Sequence, residues 1–342
     1  MTLQRLLVVV AVLLAPLAGC GPRLAPPGPT PGVPELLQTS LGSASFKTAD
    51  GYRLTLRRWL TEGAPEAVIL GLHGFNDHAD FIAPAAEVWR RRGIATYAYD
   101  QRGFGTSLVR GLWGGAEQYA EDANDALRLL RRRYPDTPLY LLGESMGGAV
   151  AIAALTRSDA AEVQGLILSA PGVRGRDFLP FGHRLGLYLV SHILPWAALR
   201  PPRTAAIQAS DNIEALIALS QDPLVIKRTR MDTVYGLMNL MDLAQARAGQ
   251  LKQPLLLLYG EKDPLIPREA IERLWTRLPQ EAGSQRRAFY PEGWHLLFKD
   301  RQAAVVIEDV AHWVKAPDGA LPSQADLRAS AVDADEPRDA VE

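Results

Sequence analysis

The stretch Pro138-Leu139-Tyr140-Leu141-Leu142-Gly143-Glu144-Ser145-Met146-Gly147-Gly148-Ala149-Val150-Ala151-Ile152-Ala153-Ala154 decides how the rest of the chain is read. An apolar strand-like run leads into small apolar residues that suit a closely packed helix, so Ser145 stands where a strand turns into a helix. Such a turn holds a serine in strained backbone geometry with its hydroxyl projecting from the sheet edge. Gly143 and Gly147, two residues before and two after, leave room for strand and helix to approach. The chemistry available to a serine so placed is acyl transfer through a serine ester.

A serine hydroxyl is a poor nucleophile unless a base takes its proton, and the base needs a carboxylate to set its tautomer and stabilise the imidazolium. With a Gly-x-Ser-x-Gly turn the expected order along the chain is Ser, acid, His. After Ser145, Pro254-Leu255-Leu256-Leu257-Leu258-Tyr259-Gly260-Glu261-Lys262-Asp263-Pro264 reads as a buried strand ending in an acid-bearing turn. Asp263 stands later in that loop than its competitor Glu261 and is the preferred acid. Arg287-Ala288-Phe289-Tyr290-Pro291-Glu292-Gly293-Trp294-His295 is a second strand that delivers His295 from its following loop. The other histidines are worse placed: His312 lies in a terminal helix, His183 and His192 in a middle insertion, and His73 and His78 before the nucleophile. The expected triad is therefore Ser145, Asp263 and His295.

The oxyanion of an acyl-transfer transition state needs donors, and losing one typically lowers the rate by about 10²–10³. Val68-Ile69-Leu70-Gly71-Leu72-His73-Gly74-Phe75 is a buried strand ending in His-Gly-Phe. The Phe75 amide and the Met146 amide, at the start of the helix after the nucleophile, are the expected pair. His73 itself reads as a structural residue ordering the strand end.

His73-Gly74-Phe75-Asn76-Asp77-His78, Tyr99-Asp100-Gln101-Arg102-Gly103-Phe104-Gly105-Thr106-Ser107, Gly143-Glu144-Ser145-Met146-Gly147-Gly148, Ser220-Gln221-Asp222-Pro223-Leu224 and Tyr290-Pro291-Glu292-Gly293-Trp294-His295 together resemble the monoacylglycerol lipase and lysophospholipase branch of the α/β-hydrolases. The resemblance covers roughly residues 43 to 315. It implies Ser145 as nucleophile, Asp263 as acid, His295 as base, and Phe75 and Met146 as oxyanion amides. Many members carry His where Glu144 stands, Glu where Asp77 stands and a smaller residue at Phe75. These departures bear on acyl and head-group preference, not on the reaction class. A serine esterase implies no metal or cofactor, and Ser at position 145 separates the chain from the dehalogenases and epoxide hydrolases of this fold, which use Asp.

The first segment resembles a bacterial lipoprotein signal. Met1-Thr2-Leu3-Gln4-Arg5 is positively charged, Leu6 to Pro16 is apolar and too short to span a bilayer, and Leu17-Ala18-Gly19-Cys20 has the small residues of a lipobox. The resemblance implies cleavage before Cys20, a diacylglyceryl group on its thiol and acylation of its amine. Gly21 after the cysteine favours the outer membrane, facing the periplasm. Cys20 is the only cysteine, so the fold stands without an intramolecular disulfide.

With 342 residues, and 37 Lys+Arg against 38 Asp+Glu, the chain has ample length for one large core and no charge excess that would point to nucleic acid. A hairpin is expected from Phe46 to Ala49 and Tyr52 to Trp59 around Asp50-Gly51. Strand-like runs at Ala67–Leu72, Ile94–Tyr99, Leu139–Leu142, Leu166–Ser169, Leu255–Tyr259 and Arg287–Tyr290 are mostly separated by helical stretches such as Ala116–Tyr134. The expected class is α/β: an α/β-hydrolase fold with a mostly parallel central sheet, helices on both faces and an inserted helical cap. The expected organisation is a signal peptide over 1–19, a lipidated cysteine and Pro/Gly-rich tether over 20–42, a core over 43–173 and 250–315, a cap over 174–249 and a disordered acidic tail over 316–342.

The cap is apolar at Phe178-Leu179-Pro180-Phe181 and Leu185-Gly186-Leu187-Tyr188-Leu189-Val190, and Pro195 and Pro201-Pro202 should break it into short mobile pieces. Val234, Leu237, Met238 and Met241 recur at helical spacing, usually a sign of core packing. Because flexible thioethers suit acyl chains of varied shape, Met231, Met238 and Met241 are also expected to contact substrate beneath a lid. The expected activity is hydrolysis of a monoacyl lipid ester by a membrane-anchored enzyme. An amidase or aminopeptidase of the same fold, recognised by a recessed acid for the substrate amine, and a non-catalytic ligand-binding envelope protein are the alternatives.

Overall fold

The computed structural model describes residues 21–38, 44–199, 208–279 and 285–328. The segment expected to be a signal peptide and Cys20, the Pro201-Pro202 pair and the end of the tail lie outside these residues.

The strands are β1 (Glu35–Gln38), β2 (Ala44–Lys47), β3 (Arg53–Trp59), β4 (Ala67–Leu72), β5 (Ile94–Tyr99), β6 (Leu139–Glu144), β7 (Gly165–Ser169), the short β8 (Ala198–Leu199) and β9 (Thr229–Arg230), β10 (Leu255–Gly260) and β11 (Gln285–Tyr290). Nine of them form one sheet in the order β1-β2-β3-β5-β4-β6-β7-β10-β11. The β1–β2, β2–β3 and β3–β5 pairs are antiparallel, and every pair from β5 to β11 is parallel. The hairpin expected around Asp50-Gly51 is the β2–β3 pair, with Lys47 opposite Arg53.

The parallel strands read as continuous apolar runs because both faces are covered. In β4, Val68, Leu70 and Leu72 enter one core and Ala67 and Ile69 the other, the alternation a strand imposes. The first core lies against α2 (Ala116–Arg133) and α3 (Met146–Leu155), the second against α1 (Ala83–Arg90) and α8 (Ala303–Lys315). In α2, Tyr119, Ala120, Ala123, Leu127 and Leu130 form the buried stripe, while Arg131, Arg132 and Arg133 meet the negative end of the helix dipole.

The insertion after β7 carries α4 (Phe181–Ile193), α5 (Ile213–Gln221) and α6 (Met231–Arg247), and α7 (Arg268–Arg277) follows β10. Helix α4 stops just before Leu194-Pro195, where proline has no amide to continue it. Helix α6 is not purely cap: Leu240 and Ala244 belong to the first core, so the helix roots the insertion in the body.

Two expectations are corrected. Of the Pro/Gly-rich segment expected as a tether over 20–42, the described residues 21–38 run along the body, and Glu35–Gln38 form the edge strand β1. Its proline content sets an extended backbone, but the backbone hydrogen bonds go to the protein. Residues 317–328, part of the stretch expected to be disordered, are packed: Leu321 and Ala325 are buried in the second core, and Ser323 bonds the Asp309 carboxylate. The low average hydrophobicity of the tail conceals well-placed apolar contacts and polar anchors, Arg286 among them, which bonds Gly319 O and pairs with Asp326.

Candidate active site

Ser145 follows the last residue of β6 and has φ 52° and ψ −117°. A non-glycine residue there stores about 1–3 kcal/mol of strain, tolerated only when its surroundings hold it. Here the Ser145 amide donates to Ser169 O at 3.0 Å, and its carbonyl accepts from Gly148 at 2.9 Å and Gly172 at 2.7 Å. The flanking glycines are required by contact. A Cβ on Gly143 would lie 2.3 Å from Gly147 O, and one on Gly147 would lie 2.1 Å from Leu72 O.

The structure brings the three expected side chains together. His295 Nε2 is 3.0 Å from Ser145 Oγ, and His295 Nδ1 is 2.7 Å from Asp263 Oδ2. The other Asp263 oxygen accepts the Leu265 amide at 2.7 Å and the Ile266 amide at 3.0 Å, which fixes the carboxylate in its turn. Glu261 is not part of this chain; its carboxylate lies 3.8 Å from Arg268. The loop carrying His295 is held by Asp300, which accepts from the Trp294 amide at 2.7 Å and from Ser210 of the insertion at 2.6 Å. Burial raises the Asp300 carboxyl to about 6.

Gly74, Phe75, Ser145, Met146 and His295 border one cavity, so both expected oxyanion amides belong to residues of its wall. His73 is structural, as expected. Its Nδ1 lies 2.7 Å from Gly74 O and its Nε2 3.0 Å from the Gln101 amide, so the ring donates through one nitrogen and accepts through the other. Complete burial lowers its pKa and keeps it neutral. The loop after β5 is likewise structural. Asp100 accepts from the Ala79 and Thr106 amides, and the Arg102 guanidinium is buried between Asp50 and Asp122, with closest distances of 2.6 Å to each.

The cavity has a volume of about 480 Å³, within the usual range of about 300–1,000 Å³ for small-molecule sites. Beyond the polar end it is walled by Leu179, Leu219 and Val225 from the insertion, Leu237, Met238 and Met241 from α6, and Leu265, Ile266 and Leu296 from the core loops. Met238 and Met241 thus stand where expected. Met231 does not: it opens α6, two turns or about 10 Å along the axis from Met238, and is buried outside the cavity lining.

The sequence marks Asp77 and Glu144 only as departures from the resembled family, not as the polar wall that they form. Asp77 lines the cavity and is paired with Lys299 at 3.0 Å. Glu144 also lines it, is completely buried, and has no hydrogen-bond partner on either carboxylate oxygen among the described residues. Burial pushes its carboxyl up to about 7, with the nearby Lys299 opposing and Asp77 reinforcing the rise. The Ser220–Leu224 motif also finds a place: Asp222 reaches from the insertion to His78 Nε2 at 2.9 Å. Its proximity to no other motif in the sequence gave no sign of that contact.

Residues 63–302 match the family described as serine aminopeptidase, S33. The chain belongs to this family. It is a serine hydrolase of the α/β-hydrolase fold. It is 27% identical to the monoacylglycerol lipase of Mycolicibacterium smegmatis over 291 residues, covering 82% of this chain and 99% of that protein. It is 26% identical to the monoglyceride lipase of Rattus norvegicus over 272 residues, with coverages of 78% and 88%. The crystal structure of the Paleococcus ferrophilus monoacylglycerol lipase superposes with a TM-score of 0.64 at 22% identity, covering 78% of this chain and 99% of that one.

Proposed function

We propose that the protein is a serine ester hydrolase of the bacterial cell envelope that cleaves monoacyl lipids, a monoacylglycerol or a lysophospholipid. The observation that carries this reading is the Ser145–His295–Asp263 hydrogen-bonded chain opening into an apolar cavity. Ser145 Oγ attacks the ester carbonyl as His295 Nε2 takes its proton, and Asp263 holds the imidazolium that forms. The Phe75 and Met146 amides stabilise the oxyanion. Collapse of the tetrahedral intermediate releases the alcohol with the His295 proton, and water, activated by the same imidazole, cleaves the acyl-enzyme.

The apolar wall supports a lipid acyl group, since each buried methylene contributes about 0.8 kcal/mol. The lipases among the relatives support the same substrate class. An aminopeptidase would need a free carboxylate for the substrate amine. Asp77 is instead paired with Lys299, and burial disfavours the charged form of Glu144. The lipobox ending at Cys20 supports attachment to a membrane through that cysteine, and Gly21 after it favours the outer membrane.

The test is to treat the protein and Ser145→Ala with a serine-directed fluorophosphonate and to assay monoacylglycerols, a lysophospholipid and an aminoacyl amide. The expected result is labelling and ester turnover in the native enzyme only, with kcat at least about 10⁴-fold lower in Ser145→Ala at unchanged stability. Labelling that persists in Ser145→Ala, or turnover of the amide alone, overturns the proposal. Mass analysis of the amino-terminal peptide tests the lipidation of Cys20 separately.

A further inference from the structure

The segment from Gly21 to Pro34 is bonded to the body along its length. The Arg23 amide donates to Asp232 Oδ2 at 3.3 Å, Leu24 bridges to Trp113, and the Ala25 amide donates to Trp113 O at 2.7 Å. The Gly28 amide donates to Asp50 Oδ2 at 2.7 Å, the Gly32 amide to Ala49 O at 2.7 Å, and Pro34 O accepts from Arg132 at 2.8 Å. Gly28 lies so close to the hairpin turn that a Cβ there would be 2.3 Å from Asp50 O.

The amino-terminal end of this segment lies beside the cap. Asp232, which holds Arg23, donates its own amide to Pro195 O at 3.2 Å, next to the half-exposed Trp196. From Trp196 an apolar ridge runs back along α4. Phe181, Leu185, Leu189 and Ile193 recur every four residues, and all are exposed, Phe181 to 78%. The side of α4 that carries Ser191 is buried, and Tyr188 and His192, which flank the ridge, meet Tyr235 of α6 edge-on. The ridge reaches the rim of the cavity, since Leu179, two residues before Phe181, lines it. On α5, Ile213 and Ile217 are exposed while Leu219 lines the same cavity. Contiguous apolar surface of this kind marks an interaction site. From Phe178 to Ser210 the sequence has no Asp or Glu, although the chain has 38 elsewhere; Arg184 in this stretch bonds the Leu179 and Asp177 carbonyls and lies 4.0 Å from the Asp177 carboxylate. That composition suits an anionic lipid surface.

We infer that Gly21–Pro34 is an orienting strap that holds the apolar ridge of the cap against the bilayer in which Cys20 is anchored. The inference rests on the proposed lipidation of Cys20. Two residues, Gly21 and Pro22, separate Cys20 from Arg23, and the three residue steps reach at most about 11 Å. An anchor on so short a lead cannot lift the body away from the membrane, and it places the edge at Asp232, Pro195 and Trp196 next to the lipid. Acyl chains and ridge then act as two linked membrane contacts, the second engaging at the high effective concentration set by the first. Substrate passes from the bilayer to the cavity rim without crossing water.

The experiment uses the full lipidated protein in vesicles of phosphatidylethanolamine and phosphatidylglycerol. Because Cys20 is the only cysteine and is blocked by lipid, Leu189→Cys supplies a single free thiol for an environment-sensitive bimane. Leu327→Cys, exposed on the side of the second core, is the aqueous reference. Quenching by spin-labelled lipid is expected to be at least about five-fold stronger at 189 than at 327. A twelve-residue Gly/Ser insertion between Cys20 and Gly21 is expected to reduce quenching at 189 at least about three-fold while hydrolysis of a dissolved short-chain ester stays unchanged. Equal quenching at the two positions in chains shown by mass to be lipidated overturns the strap alone, as does an insertion without effect. Crosslinking of two chains through residue 189, the signature of a second copy on the ridge, also overturns it. Absence of lipid on Cys20 overturns the envelope reading and the strap together, and turnover of monoacylglycerol in detergent reports on the hydrolase reading independently of both.

Discussion

Glu144→Gln isolates the energetic consequence of placing an unpartnered carboxyl beside the nucleophile. Glu144 is completely buried, and neither of its oxygens is bonded among the described residues. Its carboxyl is raised from the ordinary 4.5 to about 7 by burial. In the unfolded chain the proton leaves near the ordinary value, so between 4.5 and about 7 the unfolded state binds fewer protons than the folded one. Stability therefore falls as pH rises through that window and stays lowered above it. At about 1.36 kcal/mol per pH unit the loss comes to about 3 kcal/mol. Gln keeps the volume and cannot ionise, so it escapes this loss. Urea denaturation of both proteins across the window, followed by tryptophan fluorescence, is expected to show Gln gaining about 3 kcal/mol on the native protein between acid pH and about pH 8. The comparison cancels titrations common to the two chains. A difference that stays flat with pH would refute the reasoning, because it would mean that Glu144 ionises as easily folded as unfolded.

Asp263→Asn keeps the shape of the acid but offers His295 Nδ1 an amide of the wrong polarity, so kcat for ester hydrolysis should fall about 10³–10⁴-fold with KM little changed; a loss under ten-fold would remove Asp263 from the proton path. Arg102→Ala leaves Asp122 buried without its partner and should lower unfolding stability by about 3–5 kcal/mol, measured by chemical denaturation, with the ester reaction intact in the folded fraction. Met238→Trp fills space in the cavity worth about two methylenes, so kcat/KM for long acyl chains should drop about 15-fold relative to short ones, and an unchanged chain-length profile would place the acyl group elsewhere.

The positions of the three triad residues were legible because each was written in a local pattern. A strand run followed by small residues marks the Ser145 turn, and strand ends followed by an acid or a histidine mark Asp263 and His295. Parallel strands deliver such residues to one edge of a sheet, so order along the chain could stand in for nearness in space. The hairpin at Asp50-Gly51 was legible for the same reason, since turn residues act over a few positions.

What folding alone decided has a common cause: periodicity reports which face of an element is buried, not what buries it. Met231 and Met238 belong to one helix with similar burial, yet only Met238 reaches the cavity. The Asp77–Lys299 pair spans 222 positions, and the Arg102–Asp50–Asp122 cluster joins three segments whose charges look like ordinary surface residues in sequence. Proline and glycine between Gly21 and Pro34 foretold an extended backbone, but not whether water or protein would satisfy its amides; packing against Trp113, Asp232 and the hairpin settled that. Local propensity thus determined the sheet and the serine turn from the sequence by itself. The tertiary structure decided the cavity wall, the buried charges and the course of the amino-terminal segment, because each depends on which distant surfaces meet.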